Sequence, residues 1–411
     1  MPGAMIVYIL IALVWLLVCL SADQWLDRRR LSTPLLAFTG GALASLLVVD
    51  ELNTMFDAPV VEHVVEVVLA LLLFVDAIEV RGGLLGDDPA LTGRLLGIAF
   101  PLSLLLAFGL GLLLLPELPW AAVIVMVCIA IPTDFAHSAG ILRSPHISAR
   151  VRNALNVESG YNDGIVAPLF VFALSVVELH ATPVEELLLE AVRQSAVAIV
   201  VGIGTGLLSG WAVRYAMRTE ITSAAAVRTL TVLVPLVTYT ISAPLLNANG
   251  FVAAFVAGIA YRWARAGRRT LEGVPHRETL FADDLGRFAS LALWFLFGGL
   301  ALLVLSNEFD LGLLLFAALA LTLIRLVPVV LATLGTTLEV RERVQLGLLG
   351  PRGTASIVFG LLAFTAFPDD MYTQPFYVMA LVVGGSIVLH TLLAPRGAPD
   401  ESVRTGSPGA R

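Results

Sequence analysis

Lysine is absent. All 25 basic residues of the 411-residue chain are arginine, so no ammonium side chain is available to any site the chain builds. Charge of either sign is scarce at 14% of residues, against about 25% in soluble domains, which excludes a soluble globular protein. Cysteine occurs twice, at Cys19 and Cys128, both inside apolar segments, which excludes a disulfide framework and a cysteine-built metal cluster. There is no phosphate-binding loop and no Ser-His-Asp arrangement, and nothing supports a nucleic-acid role. The net charge of −7 is confined to short loops and says little about partners.

What fills the chain is apolar, with 58% hydrophobic residues and a mean hydropathy of +0.90. Stretches of about 17–25 apolar residues can cross a hydrocarbon core of about 30 Å. Thirteen are predicted, over 5–22, 34–50, 62–80, 91–115, 118–142, 153–178, 190–213, 229–246, 249–261, 285–305, 311–335, 344–366 and 375–394. The expected fold class is an all-α polytopic membrane protein of about 13 transmembrane helices. The eighth and ninth are separated only by Asn247-Ala248-Asn249-Gly250. Residues 1–22 read as a first spanning helix, because MPGAM lacks the positive charge of a signal peptide and arginines follow the segment instead.

Arginine placement orients the chain. Loops after odd-numbered helices, together with the C-terminal tail, hold twenty-two arginines, and loops after even-numbered helices hold only Arg193. The positive-inside rule then puts the N-terminus outside and the C-terminus in the cytoplasm of a multi-pass inner-membrane (cell-membrane) protein. The basic loop 262–287 is expected to form a surface helix, and the tail 396–411 to be disordered. Arg325 and Arg352 fall inside predicted spans.

Two spans are interrupted, at Pro132-Thr133-Asp134 and at Gly350-Pro351-Arg352-Gly353. If helices 1–6 and 8–13 are two halves, each break lies in the fifth helix of its half, the pattern of inverted repeats around a transporter's midplane site. Polar residues gather at the first break, where Asp134, Glu158 and Asp163 stand at bilayer depth. One such carboxylate costs about 2.5–3.5 kcal/mol on insertion scales. On a helix, Glu158 lies over Asn162 and Ser159 over Asp163, with the two carboxylates about 140° apart. They need different partners. Arg325 is the countercharge available to Glu158, which leaves Asp163 to titrate.

Asp163, with Thr133, Ser159 and Asp134, offers hard oxygen donors suited to a small alkali cation. One carboxylate that holds a cation and a proton in turn is enough for exchange. Pro132 weakens the backbone ladder so that groups near Thr133 can line a cavity, and Asn162 can satisfy the broken ends. Arg352 either neutralises a carbonyl-rich helix terminus or pairs with Asp134. Asp76 is read as functional or as a helix-end hydrogen-bonding group, and His137 as pH-sensing or as a lone satisfied histidine. Glu62, His63 and Glu66 have ligand-like spacing at a membrane boundary without making a metal site. Gly202, Gly204, Gly206 and Gly210 are expected to permit close helix packing.

PTD followed by ESGYNDG resembles the paired signature of sodium/proton antiporters of the cation:proton antiporter superfamily, on the electroneutral NhaP/NHE-like branch. LLLFVDAIEV at 71–80, NGFVAAFVAGIAY at 249–261 and LLGPRGTASIVFGLLAF at 348–364 extend the resemblance over almost the whole membrane region. It implies an inverted-repeat antiporter fold with two interrupted, crossing helices in a membrane domain of residues 1–395. It further implies a homodimer, with dimerisation helices at about 5–50 and 190–261 and core helices at about 62–178 and 285–394.

By the same resemblance, Asp163 would bind cation and proton, Thr133 and Ser159 would be Na⁺ ligands, and Asp134 and Glu158 would support the site. Asn162 would stabilise the crossing beside Pro132, Arg325 would pair with Glu158, and Arg352 would balance charge in the second break. Phe135 stands where many relatives have proline. No cofactor is implied beyond the transported Na⁺, Li⁺ or K⁺ and H⁺, and no enzymatic activity. Electrogenic relatives carry two adjacent aspartates and commonly a lysine near the site. Asn162-Asp163 and a lysine-free chain therefore imply one cation for one proton. The alternatives are a K⁺/H⁺ exchanger or K⁺ efflux system, a sensor or channel, and an intramembrane aspartyl protease using Asp134 and Asp163. Such proteases resemble a GxGD pattern, where this chain has GYNDG.

Overall fold

Backbone N–H and C=O groups in a bilayer find no water, so an apolar chain satisfies them internally by winding into helices. The computed structural model describes residues 2–29, 32–47, 59–80, 83–135, 147–179, 181–266, 274–305, 310–367 and 373–393. Every regular element among these residues is helical. In chain order they are α1 (Pro2–Ser21), α2 (Asp23–Arg29), α3 (Thr33–Ser45), α4 (Pro59–Glu79), α5 (Pro89–Leu114) and α6 (Trp120–Ala130). There follow α7 (Ala149–Glu178), α8 (Val184–Arg218), α9 (Ala224–Leu245), α10 (Gly250–Ala266) and α11 (His276–Leu305). The chain closes with α12 (Leu311–Ala332), α13 (Val340–Leu348), α14 (Thr354–Ala366) and α15 (Thr373–Leu393). Seven of them, α5, α7, α8, α9, α11, α12 and α15, are long and apolar enough to cross a membrane.

The helix starts follow local chemistry. Asp88, Ser148, Ser223 and Asp310 each accept a backbone N–H three residues on, capping α5, α7, α9 and α12. Asp88 also accepts from Arg150 Nε at 2.7 Å. Burial opposes its ionisation, but the Leu91 N–H and Arg150 outweigh that and hold the carboxyl below the usual carboxylate range.

Two expectations are corrected here. The basic loop is not a separate surface helix, because residues 262–266 continue α10 and residues 276–287 begin α11. Two of its arginines have fixed partners. Arg265 grips the buried Glu278 through two bonds of 2.9 and 2.6 Å, and Arg262 is buried with its guanidinium on the Gly83 carbonyl. The helix α12 is also interrupted, at Thr322, which neither proline nor glycine announces. His137, Arg143 and the tail 396–411 lie outside the described residues.

The glycines of α8 divide. Gly202, Gly206 and Gly210 face the backbone of α10, whereas Gly204 has nothing within 4 Å of the place a Cβ would occupy. Close packing thus runs along one face at intervals of four, and Gly204 is not part of it. A methyl at Gly206 would come within 2.4 Å of the Ala257 carbonyl oxygen. Gly206→Ala is therefore expected to destabilise the protein by about 1–3 kcal/mol through overpacking. Gly204→Ala should be neutral or slightly stabilising by helix propensity. Thermal unfolding of the two variants in detergent checks this pair, and equal shifts would refute it.

Candidate functional site

Pro132 has no N–H to continue α6, and residues 132–135 run on outside any regular helix. Residues 349–353 do the same before α14, and the two breaks meet where Asp134 N donates to the Pro351 carbonyl at 2.7 Å. The helix α7 supplies what the first break lacks. Asn162 Nδ2 donates to the Thr133 carbonyl and to Thr133 Oγ1, each at 2.9 Å, and Ser159 Oγ accepts from Phe135 N at 3.2 Å. A proline at position 135 could not make the last bond. The departure from the related pattern thus has a local use.

The buried charges separate as helix geometry predicts. Arg325 binds Glu158 bidentately, with bonds of 2.8 and 2.9 Å, and both side chains are buried, at 3% and 1% exposure. Of the two readings of Arg352, carbonyl capping is the one observed. Its guanidinium donates to the Ala130 carbonyl at the end of α6 and to the Ala320 carbonyl beside the Thr322 interruption, each at 2.8 Å, and to the Gly350 carbonyl. Asp134 works in the opposite sense, its Oδ2 accepting from Thr354 N at 3.0 Å at the start of α14. Each break therefore neutralises a helix end belonging to the other: a cation on the carbonyl end of α6 and a carboxylate on the N–H end of α14, as the helix dipoles favour.

A cavity of 620 Å³ reaches this crossing. Asp163, Asp134, Asp76, Ser290 and Thr354 are among the residues that line it, and Glu79, Asp283, Asp23 and Arg287 extend the polar wall. Asp163 is 4% exposed, and its Oδ1 accepts no hydrogen bond from the described residues. A buried carboxylate oxygen without a donor is poised for a proton or a cation. Thr133, Ser159, Asn162 and Glu158 do not line the cavity but stand behind it, holding the break.

Asp76 proves to be a cavity-wall residue. The sequence reading missed Glu79, Asp283, Ser290 and Thr354. A one-turn spacing from Asp76 could have indicated Glu79. Nothing local marks Ser290 and Thr354, whose buried hydroxyls hydrogen-bond each other across 64 residues. Glu66 is engaged elsewhere, accepting from Tyr239 Oη at 2.8 Å.

A family model described as sodium/hydrogen exchanger, transmembrane, matches residues 9–395. The chain belongs to this family. Its membership bears out the resemblance drawn from PTD and ESGYNDG, and with it the transporter reading over the protease one. The exchanger's fold is similar to the structure of the sodium proton antiporter MjNhaP1 from Methanocaldococcus jannaschii at pH 8, with a TM-score of 0.79 and 19% identity over 95% of this chain and 99% of that one. An electron-microscopy map of MjNhaP1 from the same organism gives a TM-score of 0.71 and 18% identity over 95% of each chain. No curated protein sequence matches the exchanger.

Proposed function

We propose that this exchanger swaps cytoplasmic Na⁺, or Li⁺ or K⁺, for external H⁺, one for one, by alternating access. The observation that carries the reading is Asp163 Oδ1, buried at the cavity beside the helix crossing with no donor from the described residues. Cation and proton compete for that carboxylate. Thr133 and Ser159 lend oxygens from the break, Asp134 lends one from the cavity wall, and the Glu158–Arg325 pair keeps a second buried carboxylate out of the competition. With a single titrating aspartate at position 163 and Asn162 beside it, each cation leaves as one proton arrives.

The cavity's outer wall supports an inward-facing orientation. Asp23, Thr33 and Glu79 sit at helix ends, and Asp283 and Arg287 in the first turns of α11, on the side of the arginine-rich loops that the positive-inside rule assigns to the cytoplasm. A homodimer, with helices near 5–50 and 190–261 as scaffold and the rest as moving core, completes the proposal.

Dequenching of an internal pH dye in acid-loaded proteoliposomes tests it. Alkalinisation on adding NaCl, and none with choline chloride, is the expected result. A response to KCl alone would transfer the reading to K⁺/H⁺ exchange, and silence with NaCl, LiCl and KCl from pH 5 to 9 would end it. An imposed membrane potential should leave the rate unchanged. Acceleration by a potential of either sign would refute the one-for-one stoichiometry.

A further inference from the structure

The helix α4 carries one stripe from end to end. Glu62, Glu66, Leu69, Leu73 and Asp76 recur at alternating intervals of four and three residues, so they share a face. Part of that face is cavity wall, since Leu69, Leu73 and Asp76 all line the cavity. Beyond Leu69 the next residue of the stripe is Glu66, only about 4.5 Å further along the axis at about 1.5 Å per residue.

Glu66 is half-buried and bonded to Tyr239 of α9 at 2.8 Å. The tyrosine is itself held. Its ring centroid lies 6.1 Å from that of Phe251, and it is so close to Gly250 that a Cβ there would fall 2.5 Å from its Cδ2. Directly after it, α9 widens into a π turn at Ile241–Leu245, a local rewinding found frequently at functional positions. Past Glu66 the stripe stays acidic with Glu62.

We propose that Glu66 and Tyr239 form the closed outer gate of the cation path, with Leu69 as the apolar layer between that gate and the cavity. The inference rests on the exchange reading above, in which α4 belongs to the core and α9 to the scaffold. Movement of one past the other breaks the Tyr239–Glu66 bond, uncovers Leu69 to the far side and frees a carboxylate where the cation leaves. Both residues are positioning residues, acting on access and not on the Asp163 chemistry.

Sided labelling tests the gate without relying on transport. Leu69→Cys is placed in a Cys19→Ser, Cys128→Ala background and exposed to a membrane-impermeant cationic thiosulfonate in vesicles of each orientation. With Tyr239 intact, modification should occur from the face onto which the cavity opens. With Tyr239→Phe it should also occur from the opposite face, about tenfold faster than with Tyr239 intact, the shift that losing one hydrogen bond permits.

Glu66→Gln keeps the acceptor oxygen and loses the charge. It should remain labelled from one face, and raise the KM for Na⁺ added on the opposite face without changing the KM on the cavity face. Labelling of the Tyr239→Phe protein from the cavity face only would overturn the proposal. So would opening by Glu66→Gln equal to that by Tyr239→Phe. Labelling from both faces in a protein that exchanges no cation would count against the exchange reading and leave the gate standing.

Discussion

Asp163→Asn abolishes cation-dependent alkalinisation in proteoliposomes while the protein stays folded: that is the largest effect the structure predicts. Asparagine matches the carboxylate in shape, so packing inside α7 and along the cavity is preserved, but it neither ionises nor accepts a transported proton. The fold should tolerate it well. Asp163 Oδ1 has no donor from the described residues, so replacing it removes a buried carboxylate and costs that oxygen no hydrogen bond among them. Unfolding temperature should stay level or rise. A ligand that binds only the folded state stabilises it by mass action. Saturating Na⁺ should therefore raise the melting temperature of the wild type and not that of the variant. Exchange at the wild-type rate, or an undiminished thermal response to Na⁺, would remove Asp163 from the centre of the mechanism.

Arg325→Met carries the largest expected effect on stability. It leaves Glu158, 1% exposed, without the guanidinium that grips both its oxygens, and breaking a buried pair from one side costs about 3–5 kcal/mol. The double variant Arg325→Met, Glu158→Leu removes both charges. Apolar replacement of a whole buried pair is often neutral or stabilising by about 1–4 kcal/mol, so most of the loss should be recovered. Thermal unfolding of the two single variants and the double gives the coupling directly. The idea fails if the double variant is no more stable than Arg325→Met. Exchange should fall in all three, because the pair also orients α7 beside the break.

The parts legible in the sequence are those that one helix decides. Spacing along α7 put Glu158 and Asp163 on different faces, and in the fold one meets Arg325 while the other lines the cavity. Pro132 and Gly350-Pro351 announced both breaks, and Asn162 was already the residue able to serve the first. What was not legible depends on chain segments meeting from far apart. Arg352 chooses the Ala130 and Ala320 carbonyls over Asp134 only because the breaks cross and α12 is interrupted at Thr322. Ser290 and Thr354 are ordinary hydroxyl residues until α11 and α14 bring them together. The loop 262–287 looked like a surface helix because it is basic, whereas Arg265 is tied to the buried Glu278 at the start of α11. Periodicity sees charge on a face, not the partner that removes it from solvent.

The exchange of end charges between the two breaks also has a consequence for biosynthesis. Ala130 and the guanidinium that caps it are separated by 222 residues, and Asp134 and the N–H it caps by 220. The ribosome therefore delivers the first broken helix with a bare carbonyl terminus and an unmatched carboxylate, long before residues 350–354 exist. Glu158 waits in the same way for Arg325. The N-terminal half is thus not an autonomous insertion unit. It is completed retroactively, when nearly the last helices to leave the translocon dock against it.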